Sequence, residues 1–151
     1  MTGSKPRAGA SGAPIWQRVS NGSNDDLTVV EVDRAGRIWV GAASGSLYRS
    51  DDAARSFLHV ATAPQSGIAG VWCDGQHRVV VCAGGEIVAS DDDGATWNAT
   101  SCRGKYNDNL AERGGVLVAT NIRGRVLISL DGGAHWKSLD PGAKRYMYSI
   151  A

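Results

Sequence analysis

The 151-residue chain has no marked excess of either charge: 16 Lys and Arg stand against 15 Asp and Glu, a formal net charge of +1. It therefore lacks the basic excess that draws a protein to nucleic acid or to an anionic membrane. Cysteine is scarce, limited to Cys73, Cys82 and Cys102, with no CxxC pair. An odd count without paired spacing indicates neither a disulfide framework nor a zinc site. These thiols read as small buried hydrophobes in strands. No run approaches the roughly 18 apolar residues of a membrane span. Residues 1–14 are rich in Gly, Ala, Ser and Pro and have no apolar h-region. They read as a disordered leader, not a secretion signal, so the chain as written reads as soluble and cytoplasmic. There is no P-loop, nucleophile elbow or dinucleotide fingerprint. His59, His77 and His135 share neither a loop nor a metal spacing. Nothing here calls for a cofactor or a metal.

What the chain has in quantity is glycine: 20 residues, against one phenylalanine and five tryptophans. That composition suits many tight turns with sparse, large anchors. Three segments align without gaps: Ser50-Asp-Asp-Ala-Ala-Arg-Ser-Phe57, Ser90-Asp-Asp-Asp-Gly-Ala-Thr-Trp97 and Ser129-Leu-Asp-Gly-Gly-Ala-His-Trp136. Their starts lie 40 and 39 residues apart. Before each come three short apolar runs separated by Gly- or Asp-containing turns. In the first repeat the runs are 27–32, 37–40 and 46–50; in the second, 68–72, 79–83 and 86–90; in the third, 106–110, 116–120 and 125–129. A fourth run starts at each closing aromatic, over 57–60, 97–100 and 136–139. Such punctuated runs mean antiparallel sheet. Four strands in about 40 residues is the period of a propeller blade.

The pattern Ser-x-Asp-x-Gly-x-Thr-Trp resembles the Asp-box (BNR) motif of sialidases, sortilin-type receptors, xyloglucan-active glycosidases and the photosystem II assembly/stability factor family. Residues 90–97 match every position; the third box has His135 for Thr, and the first has Ala54, Ser56 and Phe57 for Gly, Thr and Trp. The resemblance implies an all-β fold: a partial β-propeller of about three four-stranded antiparallel blades with Asp-box hairpins. The blades fall at about 27–60, 68–100 and 106–139, within a propeller segment over 15–151.

The box residues make chemical sense as turn builders. Asp52, Asp92 and Asp131 each follow the strand end by two residues, where a carboxylate can accept the N–H groups of its own turn. The hydroxyls of Ser50, Ser90 and Ser129 can add a local bond, as can Thr96. Gly94 and Gly133 fall where the backbone is expected to need a positive φ, which costs a Cβ-bearing residue about 1 kcal/mol or more. Ala54 should then strain the first box or change its turn. Phe57, Trp97 and Trp136 are expected to bury an apolar face between blades. The run Asp91-Asp92-Asp93 lacks the alternating ligands and the acid at the twelfth place of an EF-hand loop.

Residues 16–19 resemble a lone fourth strand and 146–151 a lone first strand. Three blades fall below the usual four to eight, so the reading is a piece of a larger propeller, completed by further blades or by self-association. In such folds the ligand face carries the loops, here 21–26, 42–45, 61–67, 84–85, 101–107, 121–124 and 140–145. The boxes lie on the opposite face in the resembling families, so their acids are expected to be structural.

Two classes of function compete. The compact blades, without long insertions, resemble those of the photosystem II assembly/stability factor type. That resemblance implies a non-catalytic binding or assembly protein with a polypeptide partner. Arg103, Lys105 and Arg123 could contribute to a basic partner-binding patch, with Tyr106 as an aromatic anchor of the kind interfaces favour. The alternative is part of a glycoside hydrolase, with a carbohydrate ligand. A sialidase site needs converging arginines, a Tyr, a Glu and an acid Asp. The family's Arg-Ile-Pro signature is absent, and Ala13-Pro14-Ile15 does not replace it. A xyloglucan-type site needs two carboxylates across a cleft, for which Asp25, Asp26 and Asp108 are on or near the right face. A lectin would show equivalent pockets between blades, yet Ser44, Gly85 and Arg123 share no chemistry at aligned loop positions.

Overall fold

The computed structural model describes residues 19–62, 67–103, 107–121 and 125–139. Among these, every regular element is a strand, and twelve strands form three four-stranded antiparallel sheets. The first sheet is β1 (Leu27–Val32), β2 (Ile38–Ala42), β3 (Ser46–Ser50) and β4 (Leu58–Thr62). The second is β5 (Ile68–Cys73), β6 (Val79–Ala83), β7 (Glu86–Ser90) and β8 (Asn98–Arg103). The third is β9 (Asn107–Arg113), β10 (Val116–Asn121), β11 (Val126–Ser129) and β12 (Lys137–Leu139). Strands follow chain order within each sheet, so each sheet is a simple meander, one blade.

The blades stack face to face. Trp39 and Leu47 of blade 1 meet Ile68, Val71, Val79, Val81 and Val88 of blade 2 in one buried cluster. Val80, Cys82, Ile87 and Ala89 from the other face of blade 2 meet Leu117, Ala119 and Leu127 of blade 3 in a second. Blade 2 is thus covered on both faces. This explains why β6, Val-Val-Val-Cys-Ala, is buried at all five positions and shows no apolar–polar alternation. β12, at the end of the last described sheet, is exposed throughout. The inner strands pack in series, β1 beside β5 and β5 beside β9. This approach is close: a Cβ on Gly41 would lie 2.6 Å from Ile68 Cγ2 and 2.8 Å from Val29 Cγ1.

Several strand bounds move from those read in the sequence. β9 begins at Asn107 and continues to Arg113, beyond the expected 106–110. β4 and β8 run on to Thr62 and Arg103, into segments expected to be loops. The polar Asn-Ala-Thr-Ser-Cys-Arg of β8 carries no alternating pattern, yet its backbone pairs with β7 through a bulge, with Glu86 opposite Arg103. Ladder bonds need only the main chain, so side-chain pattern misses such edge extensions. The leader, residues 16–18 of the lone fourth strand and all of 146–151 lie outside the described residues. Among those described, no helix is long and apolar enough to cross a membrane.

Candidate functional site

Each blade turns from its third to its fourth strand through a box, and all three boxes share one hydrogen-bond scheme. In the second, Ser90 Oγ donates to Asp92 Oδ1 at 2.7 Å and accepts the Gly94 N–H at 2.8 Å. Asp92 accepts the Thr96 N–H at 2.8 Å on one oxygen and the Thr96 hydroxyl at 2.7 Å on the other. In the first, Ser50 serves Asp52 and Ala54, both at 2.9 Å, and Asp52 holds the Ser56 N–H at 2.9 Å and its hydroxyl at 2.6 Å. In the third, Ser129 serves Asp131 and Gly133, both at 2.8 Å, and Asp131 accepts the His135 N–H at 2.9 Å. There His135 Nδ1, 2.7 Å from Asp131 Oδ2, takes the place of the threonine hydroxyl. The serines are fully buried, so these bonds satisfy polar groups that water cannot reach.

The box turn holds two successive residues at positive φ: Ala53 and Ala54 (58° and 66°), Asp93 and Gly94 (56° and 90°), Gly132 and Gly133 (65° and 86°). Ala54 therefore keeps the turn and accepts the strained backbone. The closing aromatics pack backward along the stack. Trp97 joins the cluster between blades 1 and 2, Trp136 the one between blades 2 and 3, and Phe57 lies against Val40, Ala42 and Tyr48 on the other face of blade 1.

These bonds set the acidity of the boxes. The hydroxyl and N–H of Ser56 hold the Asp52 carboxyl at about 2. The N–H of Thr96, then the hydroxyls of Ser90 and Thr96, do the same for Asp92, also at about 2. The N–H and ring of His135 hold Asp131 well below the usual carboxylate range. Carboxylates so saturated with donors are poor proton acceptors, hence poor general bases. Neighbouring acids of the second box are also engaged. Asp91 pairs with Arg78, and Asp93 meets Arg37 at 3.1 Å and His77 at 2.8 Å.

A second repeated device emerges from the structure. Asp33, buried in the turn between β1 and β2, accepts the Ala35 and Arg37 N–H groups, both at 2.9 Å, Arg37 Nε at 2.7 Å and the Trp39 indole N–H at 2.9 Å. Burial alone would raise its pKa, but the Trp39 and Arg37 bonds outweigh it and leave the carboxyl lowered. Arg37 then reaches blade 2, to Asp93 in its box and to the Gln76 carbonyl at 3.0 Å. In blade 2, Asp74 caps the turn by accepting the Gln76 and Arg78 N–H groups at 2.7 and 3.1 Å. Arg78 reaches the Gly132 carbonyl in the box of blade 3. An Asp-x-x-x-Arg turn thus fastens each of these two blades to the next box. The signal is legible in the sequence as Asp33-Arg-Ala-Gly-Arg37 and Asp74-Gly-Gln-His-Arg78, about one blade period apart.

At the opposite end of the sheets, Asp25 accepts the Tyr48 hydroxyl at 2.5 Å, and Tyr48 meets His59 edge-on with ring centroids 5.4 Å apart. The Tyr48 hydroxyl is the main cause of a lowered Asp25 pKa. Asp26 contributes its carbonyl to the Ala43 N–H at 2.8 Å. Arg103 ends β8. Its side chain and that of Asp108, with Lys105, Tyr106 and Arg123 entirely, lie outside the described residues.

No protein-family model matches the chain, and no curated protein sequence matches it. Solved structures do. One described as YCF48 bound to D1 peptide superposes with a TM-score of 0.72 at 14% identity, over 91% of this chain and 48% of that one. YCF48 from Cyanidioschyzon merolae gives 0.58 at 15%, over 82% and 46%. The GH74 enzyme of Niastella koreensis gives 0.59 at 18%, over 76% and 17%. The chain has the Asp-box β-propeller fold. At these identities the likeness is one of fold, and the chain spans about half the length of the YCF48 structures it matches. Within that propeller the boxes and the Asp-x-x-x-Arg turns share one end of the blades, joined by Arg37 and Arg78.

Proposed function

We propose that this propeller is a non-catalytic binding or assembly module that takes a polypeptide partner on the face opposite its boxes. The observation that carries the reading is the occupation of its conspicuous acids. Asp52, Asp92 and Asp131 are spent on their own turns, and Asp33, Asp91 and Asp93 on ion pairs near or between blades. A structure with this fold is described as holding a peptide, which supports a polypeptide as the class of partner. Arg103, Lys105 and Arg123 supply the positive charge in this reading, and Tyr106 the aromatic anchor. Further blades or a second copy complete the ring.

The test is fluorescence anisotropy with a labelled acidic decapeptide of Glu, Tyr and Leu. Binding should weaken at least about tenfold in a Arg103→Glu, Lys105→Glu, Arg123→Glu triple variant, and should fall with salt as exposed charge pairs do. Unchanged binding by a variant that melts like the parent would count against the reading. A second reading, part of a glycoside hydrolase, draws on the likeness to the GH74 propeller and on Asp25, which lies at the end of the sheets away from the boxes. Turnover of a fluorogenic xyloglucan oligosaccharide, abolished by Asp25→Asn, would favour it.

A further inference from the structure

At the box end of the blades, the inner strands leave a cleft of about 400 Å³, within the size range of ligand pockets. It is lined by Glu31, Asp33 and Arg34 from blade 1, Trp72 and Cys73 from blade 2, and Glu112 from blade 3. Arg34 Nη2 meets Glu112 Oε2 at 2.8 Å, so the first and third blades are bridged across it. Ile38, Val79 and Leu117 are equivalent, each pairing with its box serine. Glu112 lies opposite Leu117 as Val32 lies opposite Ile38 and Cys73 opposite Val79, one place before the positions of Asp33 and Asp74, in a turn one residue shorter. Val116 stands where those blades have the fastening arginine. This corner is therefore not another copy of the inter-blade device.

The charges lining the cleft do not balance. Asp33 is matched by Arg37 and Glu112 by Arg34, but among the described residues no cation pairs with Glu31. Two groups of different chemistry sense the surplus. Burial, and after it the charge of Asp33, pushes the Glu31 carboxyl up. Burial pushes the Cys73 thiol up too, with Asp33 adding to it, Arg37 opposing, and Glu31 and Asp74 adding further. A carboxylate held against burial and a like charge gains most from an incoming cation. Trp72 adds an aromatic wall of the kind that favours such ions.

We propose that this axial cleft binds an alkylguanidinium or alkylammonium group, with Glu31 as its carboxylate partner and Trp72 as its aromatic wall. The source of that group is either the side chain of an Arg or Lys in a polypeptide or a free small cation.

Calorimetric titration with n-butylguanidinium tests it, with n-butylurea as the uncharged isostere and acetyl-Gly-Arg-Gly-amide as the peptide form. Saturable binding of n-butylguanidinium is expected, about tenfold or more weaker in Glu31→Gln and several-fold weaker in Trp72→Leu. Binding should tighten as pH rises through the Glu31 carboxyl range. Glu31→Gln removes a charge that burial disfavours, so this variant should fold, and its melting curve checks that. A peptide that binds at least about tenfold tighter than n-butylguanidinium identifies a polypeptide source; equal or weaker binding identifies a free cation. The Arg103→Glu, Lys105→Glu, Arg123→Glu variant should titrate like the parent, which separates this site from the proposed partner face. Absence of saturation, equal affinity in Glu31→Gln, or equal binding of n-butylurea would overturn the proposal.

Discussion

Truncating Asp33 to alanine should be among the most damaging single polar substitutions in the described blades. Its side chain is fully buried and accepts four hydrogen bonds, from two backbone N–H groups, the Arg37 guanidinium and the Trp39 indole. Trp39 is itself fully buried, so its indole N–H would be left without an acceptor, at a cost of about 1–3 kcal/mol. Breaking a buried ion pair costs about 3–5 kcal/mol, and Asp93, still 3.1 Å from Arg37, holds the total to the lower part of that range. The expected loss is about 3–4 kcal/mol, or roughly 6–15 °C in melting temperature for a chain of this size. Asp74 supplies the internal control. It caps the equivalent turn through two N–H groups only, in a half-buried position that water can reach, so Asp74→Ala should cost about 1 kcal/mol. Urea titrations followed by tryptophan fluorescence measure both variants. Equal losses for Asp33→Ala and Asp74→Ala would refute the argument, because the difference rests on the Trp39 and Arg37 contacts.

Further outcomes follow from the boxes. Ala54→Gly relieves a backbone at φ 66° and should raise stability by roughly 0.5–1 kcal/mol in thermal melts. Gly133→Ala places a Cβ 2.8 Å from Val80 Cγ2 at φ 86° and should cost roughly 2–3 kcal/mol by urea titration. The Asp52 and Asp92 carboxyls are held at about 2, below the roughly 3.9 of an unfolded chain. Folding then gains from their ionised forms above about pH 4 and loses that gain as pH falls toward 2. A Asp52→Asn, Asp92→Asn variant should show a flatter urea midpoint across that window. His135→Thr should melt like the parent, since a hydroxyl can replace the ring nitrogen at Asp131, whereas His135→Ala should melt lower.

The blade plan was legible because turn chemistry is local. A serine, an aspartate and a pair of left-handed residues close the same hydrogen bonds in all three boxes, whatever packs around them. The strands 27–32, 46–50, 79–83 and 86–90 could be bounded from the sequence because a turn marks each end. β8 and β9 were bounded less well, since main-chain pairing continues where side chains carry no pattern. The Asp-x-x-x-Arg turns were readable as a repeat but not as a fastening. Their meaning depends on Arg37 and Arg78 crossing to the next blade, a relation between segments far apart in the chain. The cleft was beyond reach for the same reason: Glu31, Trp72 and Glu112 become neighbours only when β1, β5 and β9 stack. By itself, then, the sequence determined the repeat, its turns and the fold class, all of which depend on interactions within about one blade. Tertiary packing alone decided which charges meet across blades and which one, Glu31, meets no cation among the described residues, because those balances are struck between elements that the chain order separates.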